Sequence, residues 1–162
     1  MRRQWLACAV LPLLMAALGP MAIAEAGQPL VGIWLIRVHL AGQSLLCLTT
    51  ISADGTYVEF CQGDILLDLV NPAGISIFGP QFGLWEKRSG QKYDITHYGL
   101  LQGRNGELVG VLRNHANLNY NRETDSISGH FTIEVLDADG NVLFPVGEGP
   151  YTGSRQPLVS GN

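Results

Sequence analysis

From Gly32 onward the chain alternates short apolar runs with clusters of Gly, Asn, Asp and Pro. The runs are rich in Val, Ile, Leu, Thr, Phe and Tyr, which favour β-strands, and they show hardly any helical periodicity. The pattern predicts strands at Gly32–Leu40, Ser44–Ser52, Thr56–Gln62, Gly74–Phe78, Phe82–Arg88, Tyr93–Leu101, Glu107–Tyr120, Ser126–Leu136 and Asn141–Ser154.

Tight-turn signals separate most of these runs. Ala53-Asp54-Gly55, Asn105-Gly106 and Asp137–Asn141 each carry a glycine, which supplies the positive φ that hairpins require. Eight or nine strands joined mostly by short turns imply an antiparallel up-and-down meander, and closure of the sheet removes its unpaired edges. We therefore predict an all-β fold, a single antiparallel eight-stranded barrel, with an open sandwich as the alternative.

Two Gly-x-Trp triplets occur in the strand region, in "VGIW" at Val31–Trp34 and in "FGLW" at Phe82–Trp85. Each tryptophan is followed at the same distance by a tight-turn signal. An internal duplication would explain this echo, but the repeated geometry of a meander is the favoured interpretation. The echo supports the architecture and carries no chemical information.

The N-terminus has the pattern of a secretory signal peptide. Two arginines precede an apolar run, Leu6–Leu18, which is shorter than the roughly 20 residues that span a bilayer. Small residues offer cleavage after Ala24 or Ala26. We predict a signal peptide at 1–24, a barrel domain at 25–162, no stable membrane anchor, and export to a periplasmic or extracellular location.

The charge pattern excludes several partners. The 162 residues carry a formal net charge of −4 and contain no run of basic residues. Nucleic acid and anionic membrane surfaces require clustered Lys and Arg, so neither is an expected partner. The sequence does not indicate the oligomeric state.

Cys47 and Cys61 form an even pair once Cys8 is removed with the signal peptide. They flank the turn at Asp54-Gly55 at equal distances, so a hairpin would place them opposite one another. In an oxidising compartment this arrangement favours a disulfide, and two buried free cysteines are the alternative. No ligand spacing indicates a metal site, and we expect neither a metal nor a cofactor.

The strongest candidate chemistry lies in "VLRNHANLNY". Period-two alternation puts Arg113, His115 and Asn117 on one face, where they would offer a cation, an imidazole and an amide to a ligand. The opposite face of the same strand carries Leu108, Gly110, Leu112, Asn114, Ala116 and Leu118. Because this second face is the better core, the row from Arg113 to Asn117 also fits a solvent-facing position.

Further candidates lie on neighbouring strands. His97 and Tyr98 would pair across a hairpin with residues near Arg113, and only one of the two can face a cavity. The ring of Trp85 either packs in the core or lines the ligand space. The residues predicted to face solvent are Arg37, His39 and His130.

Glu59 completes the set of candidate ligand-binding residues. It shares its face with Tyr57 and Cys61, whereas Val58 and Phe60 are expected on the core side. A buried carboxylate would need a charged or hydrogen-bonding partner.

The first strand carries a resemblance to a known group. A Gly-x-Trp that enters the first strand of a secreted eight-stranded meander, here Gly32 to Trp34, resembles the lipocalin-like or calycin barrels. The resemblance implies that Trp34 packs across the closed end of the barrel and that a late basic residue, Arg155 in "YTGSR", covers its ring. The stretch Gly129–Arg155 is also similar to a group of small exported bacterial proteins, and the strand rhythm resembles allene-oxide-cyclase-like barrels.

Three functions follow as hypotheses. The first is an exported protein that binds or carries a small apolar molecule inside the barrel. The alternative is a cofactor-free isomerase or cyclase in which Arg113, His115 or Tyr98 assists proton transfer. The third is a stabilising or adhesion module whose interior is filled by bulky side chains.

Overall fold

The computed structural model describes residues 29–62, 76–103 and 105–157. The predicted signal peptide and residues 63–75 lie outside the described residues. The strands follow one another in chain order: β1 Gly32–Leu40, β2 Gln43–Ile51, β3 Thr56–Cys61, β4 Ser76–Ser89, β5 Lys92–Gln102, β6 Leu108–Asn121, β7 Ser126–Leu136 and β8 Val142–Arg155.

The strands form one closed antiparallel barrel in the order β1 to β8. Each strand pairs with its chain neighbours, and β1 pairs with β8 from Trp34 opposite Arg155 to Val38 opposite Tyr151. The predicted all-β, up-and-down, eight-stranded barrel is confirmed, and it is consistent with a calycin-like fold. Within the described ranges there is no helix long and apolar enough to cross a membrane.

The fourth strand differs from the sequence prediction. One strand, β4, contains the run predicted at Phe82–Arg88 and also Ser76–Phe78, the described part of the run predicted at Gly74–Phe78. Its pairing with β5 shifts register between Phe78 and Phe82, where Gly79 has a φ of 82° and Pro80 lacks an N–H. A bulge absorbs these two residues, so the strand bends without ending.

One end of the barrel is closed by aromatic side chains. Trp34 is fully buried, and its Nε1 donates a hydrogen bond of 2.8 Å to the carbonyl of Leu30. The ring of Tyr120 meets Trp34 edge-on, with 6.1 Å between centroids. Neighbouring buried side chains in this part of the core are Leu30, Ile51, Tyr93, Leu118 and Ile127.

Arg155 covers this end and joins β8 to the start of β1. Its guanidinium lies 4.4 Å from the Trp34 ring centroid and donates to the carbonyl groups of Pro29 and Val31. Its Nε donates to both carboxylate oxygens of Asp125, at 3.0 and 2.8 Å, and this lowers the pKa of Asp125. Arg155 therefore lies where the calycin resemblance implies.

Gly32 makes this cover sterically feasible. Its φ of 148° is rarely adopted by residues with a side chain, and a Cβ at this position would overlap the Arg155 guanidinium. The glycine of "VGIW" is thus needed because Arg155 occupies the space that a side chain at this position would take.

The predicted disulfide between Cys47 and Cys61 is confirmed. The two residues lie directly opposite one another in the β2–β3 pairing, and Cys47 is fully buried on the inner face. A disulfide is typical of oxidising compartments and agrees with an exported protein.

We expect Arg155→Ala to lower the free energy of unfolding by about 2–4 kcal/mol. The substitution removes the cation over Trp34 and leaves the carbonyls of Pro29 and Val31 without their donor. Urea denaturation followed by tryptophan fluorescence measures the change. Arg122→Ala, at an exposed position of the β6–β7 turn, is the matched control, with an expected change within about 0.5 kcal/mol. Equal effects of the two substitutions would contradict the assigned role of Arg155.

We expect the Cys47→Ala/Cys61→Ala double variant to lose about 3 kcal/mol of stability, because the disulfide closes a loop with a sequence separation of 14 residues. Denaturation with and without a dithiol reductant measures the effect. The reductant should destabilise the wild type and leave the double variant unchanged. A similar response of both proteins would show that the bond does not stabilise the fold.

Candidate functional site

The row predicted as the strongest site lies on the outside of the barrel. Arg113 is one-third exposed and pairs with Glu134 on β7, with Nε to Oε2 at 3.0 Å. His115 and Asn117 are exposed, and the inner face of β6 is formed by Leu112, Ala116 and Leu118 instead. Arg113, His115 and Asn117 therefore do not line the interior, so this row is not placed to contact a ligand inside the barrel.

Tyr98 and Trp85 also lie away from the interior cavities. Tyr98 is 44% exposed on the outer face of β5. Trp85 is half-buried at the closed end, where Nε1 donates to the carbonyl of Ser52 at 2.9 Å and the ring meets Tyr93 edge-on. Its role in the described structure is architectural.

Glu59 and His97 are the two predicted ligand residues that the barrel brings together. Both are nearly fully buried, and Glu59 Oε1 lies 3.7 Å from His97 Nε2. The expectation that Val58 and Phe60 form the core side of β3 is wrong, since Phe60 is 60% exposed. Cys61 must face inward to reach Cys47, and alternation then turns Glu59 inward as well.

Glu59 accepts hydrogen bonds from two inner hydroxyls. Tyr57 Oη donates to Oε2 at 2.6 Å, and Thr49 Oγ1 donates to the same oxygen at 3.2 Å. Burial, together with the neighbouring Glu59, raises the pKa of Tyr57 well above its usual value, so this phenol stays protonated at neutral pH. The second oxygen, Oε1, faces His97 and lies 3.3 Å from Cys61 Sγ, a disulfide sulfur with no proton to donate.

His97 is held neutral in the interior. Burial lowers its pKa, and the attraction of Glu59 only partly opposes this effect. The ring packs against Tyr57 with 4.9 Å between centroids, and Nδ1 has no hydrogen-bond partner among the described residues. Gly83 lies opposite His97 on β4, where a Cβ would meet the His97 backbone. The glycine of "FGLW" thus allows the close approach of β5 at Thr96 and His97.

Two further polar side chains, Gln81 and Asn114, belong to the site and were missed from the sequence. Gln81 Oε1 and Asn114 Oδ1 are buried and have no hydrogen-bond partner among the described residues. Asn114 could have been found, because it is the one strongly polar residue on the inner face of β6 between Gly110 and Leu118. Gln81 precedes the strand that was predicted to begin at Phe82, so its facing was not assigned.

We call the set formed by Thr49, Tyr57, Glu59, Gln81, His97 and Asn114 the inner polar cluster. Two small cavities adjoin it, of about 20 and about 10 Å³, and both are lined by Val38, Glu59 and Asn114. The larger one has the volume needed for roughly one water molecule. Apolar walls from Ile36, Ile95 and Phe131 complete its lining.

The two buried side-chain oxygens of the cluster that have no partner among the described residues are hydrogen-bond acceptors. The hydroxyls of Tyr57 and Thr49 are already directed at Glu59, whereas the oxygens of Gln81 and Asn114 accept nothing from the described residues. Such a site is chemically suited to a group that donates hydrogen bonds, such as an amine, a hydroxyl or water.

Cys47, Cys61 and Glu59 bring three ligand-type atoms within 4.8 Å of one another. Metal binding by cysteine requires thiolates, and both sulfurs are consumed by the disulfide. In this oxidised state the group does not supply a metal-binding set.

We expect the stability of the protein to decrease as the pH falls below about 6.5, the ordinary His pKa that applies to the unfolded chain. Because His97 has a lowered pKa in the folded state, the unfolded chain binds an extra proton in this range. The slope contributed by this one site is at most about 1.4 kcal/mol per pH unit.

Urea denaturation between neutral and mildly acidic pH measures this dependence. His97→Gln should reduce the slope, whereas His115→Gln, on the exposed face of β6, should leave it unchanged. An unaltered slope in His97→Gln would rule out His97 as the group responsible.

Comparison of the chain with protein-family models, with curated proteins and with solved structures gives no match. The barrel topology and the inner polar cluster are accordingly described from this chain alone. The barrel is an architecture compatible with ligand binding.

Proposed function

We propose that the protein is an exported binding protein that holds a small, largely apolar molecule inside the barrel. The inner polar cluster recognises one hydrogen-bond-donating group of this molecule, and the apolar walls contact the remainder. The observation that carries the proposal is the group of unpartnered polar atoms at the centre of the barrel: His97 Nδ1, Gln81 Oε1 and Asn114 Oδ1.

Unpartnered buried polar atoms are costly. Each one costs about 1–3 kcal/mol in the free protein, and most buried polar groups in native structures have a partner. Three such atoms in one cluster, beside a cavity, indicate that the cluster gains its partners from a bound molecule or from water. A core selected only for stability would have apolar side chains at these positions.

The chemistry of the cluster selects the polar group of the ligand. Glu59 and the two unpartnered amide oxygens favour a primary amine or a hydroxyl, whereas a carboxylate would be repelled by Glu59. Ile36, Ile95, Ala116 and Phe131 surround the larger cavity and provide the apolar contacts. This composition matches ligand pockets, which combine apolar walls with a few polar groups.

The ligand must displace inner side chains, because the two cavities together hold only about one or two waters. Val38, Glu59 and Asn114 line both cavities, so rotation of these side chains is the smallest change that would join them. Side-chain rotation of this kind is common on ligand binding and leaves the barrel backbone in place.

We expect hexylamine and hexanol to raise the thermal midpoint of the protein and hexanoate to leave it unchanged, which scanning fluorimetry measures. Asn114→Leu should abolish the response and raise the free energy of unfolding by about 1 kcal/mol, since an unpaired amide is replaced by an apolar side chain. Asn119→Leu, exposed on the same strand, should keep the response. Because Asn114→Leu is expected to be more stable than the wild type, loss of its thermal response would report loss of binding and not misfolding.

Native mass spectrometry of protein purified from its own host tests the same proposal without a chosen probe. A bound small molecule in the wild type that is absent from Asn114→Leu supports it. The proposal is wrong if the wild type carries no molecule and none of the probes changes its stability.

A second candidate is a cofactor-free isomerase or cyclase, favoured by the contact between His97 and Glu59. A neutral imidazole with a free Nδ1, held against a carboxylate, is able to accept a proton from a bound substrate. His97 takes this role in place of the outward-facing Arg113 and His115 and the exposed Tyr98.

The molecules recovered from the wild type and from His97→Gln distinguish the two functions. A carrier yields the same compound from both proteins. An isomerase yields product from the wild type and its unconverted isomer from the variant.

A further inference from the structure

The outward side chains of β2 to β5 differ in chemistry from those in the middle of β6 and β7. On β2 to β5 the outward side chains include a set of exposed large apolar residues, which we call the apolar face: Leu48, Phe60, Phe82, Leu84, Tyr98 and Leu100. Each is between 44% and 69% exposed. On β6 and β7 the outward side chains are predominantly polar or charged, including Arg113, His115, Asn119, His130, Thr132 and Glu134.

Strand register makes the apolar face continuous. Leu48 lies opposite Phe60, Val58 lies opposite Phe82, and Phe82 lies opposite Tyr98. Directly opposed residues on adjacent strands have Cβ atoms about 5 Å apart, so these side chains adjoin one another. The outward positions between them carry Thr50, Thr56 and Thr96, and none of these described positions is charged.

We propose that the apolar face is the interface of a homodimer formed by two copies of this chain. The proposal concerns the outside of the barrel and is independent of the ligand proposed for its interior.

The size of the apolar face fits a dimer. With roughly 100 Å² exposed for each of its half-exposed large side chains, the face presents on the order of 600 Å². Partly exposed Leu35, Leu46 and Val58 adjoin it and extend this area. A standard interface buries about 800 Å² on each partner, whereas monomers rarely expose contiguous apolar patches above a few hundred Å².

The charge distribution favours a second copy as the occupant. Every copy is acidic, with a formal net charge of −4, so association through a charged surface would bring like charges together. The apolar face is neutral, and Glu86, Arg88 and Lys92 lie beyond it towards the β4–β5 turn, as expected of a polar rim. Two copies related by a two-fold axis can therefore meet apolar face to apolar face without a buried charge.

Barrel closure limits the geometry of this contact. Because β1 pairs with β8, the described strands form a closed sheet in which each strand pairs with a neighbour on both sides, so there is no edge strand among them for another chain to extend. Association must occur face to face through side chains, and the aromatic rings of Phe60, Phe82 and Tyr98 are the residue types enriched at the centres of such interfaces.

Sedimentation velocity of the purified full protein across the micromolar range tests the proposal. We expect the wild type to sediment as a dimer. Phe60→Glu/Leu84→Glu should raise the dissociation constant by about 100-fold or more, because each copy would then carry two charges in the interface. Asn119→Glu/Thr132→Glu adds the same charge to the polar outer surface of β6 and β7 and should leave the dimer intact.

Thermal unfolding of both double variants checks that each one folds. Their dissociation constants are compared only when both variants unfold in a cooperative transition. The proposal is overturned if the wild type is monomeric throughout, or if both double variants dissociate equally. It is also overturned if a monomeric wild type co-sediments with phosphatidylcholine vesicles, which would assign the apolar face to a lipid surface.

Discussion

The pairing of β1 with β8 is the contact on which the rest of the structure depends. It turns a meander into a closed barrel and gives every strand one enclosed and one outward face. Arg155 reinforces this pairing, since its guanidinium contacts Trp34 on β1, the carbonyls preceding β1 and Asp125 before β7. The pairing of β3, β4 and β5 places Glu59 near His97, and closure of the barrel buries both side chains.

Closure also divides the interior into layers of different chemistry. The end near Trp34 is filled by aromatic and aliphatic side chains, whereas the middle contains the inner polar cluster and two small cavities. The aromatic end stabilises the barrel through burial, and its packing does not involve the cluster. Buried apolar side chains at both ends of the barrel stabilise it, and this burial offsets the cost of the unpartnered polar atoms in the middle.

Local patterns predicted the architecture and much less of the site. Strand alternation and glycine turns identified the meander, and cysteine spacing identified the disulfide, because these signals act between near neighbours. The facing of β3 was mispredicted because Val58 and Phe60 are more hydrophobic than Tyr57 and Glu59. The predicted disulfide was enough to assign this facing correctly. Cys47 shares its face with Leu45 and Ile51, so its partner Cys61 must face inward. Glu59, two residues from Cys61 on the same strand, must then face inward too. Gln81, His97 and Asn114 lie on three consecutive strands. Their convergence depends on the register that places His97 opposite Asn114 and on the bulge before Gln81, and the bulge was not predicted from the sequence.

Strands β2 to β5 carry residues of both the inner polar cluster and the apolar face. At three places the polar residue faces inward and its apolar neighbour outward: Glu59 and Phe60, Gln81 and Phe82, His97 and Tyr98. Each pair reverses the usual preference, and the reversal costs free energy on both faces in an isolated barrel. A one-residue shift of these strands would restore the ordinary pattern, but the Cys47–Cys61 bond and the β2–β3 register fix Glu59 inside. Violations of the folding pattern tend to coincide with functional positions, where binding compensates for them. A ligand among the inward polar groups and a second chain against the outward aromatic groups would compensate for both halves of this reversal.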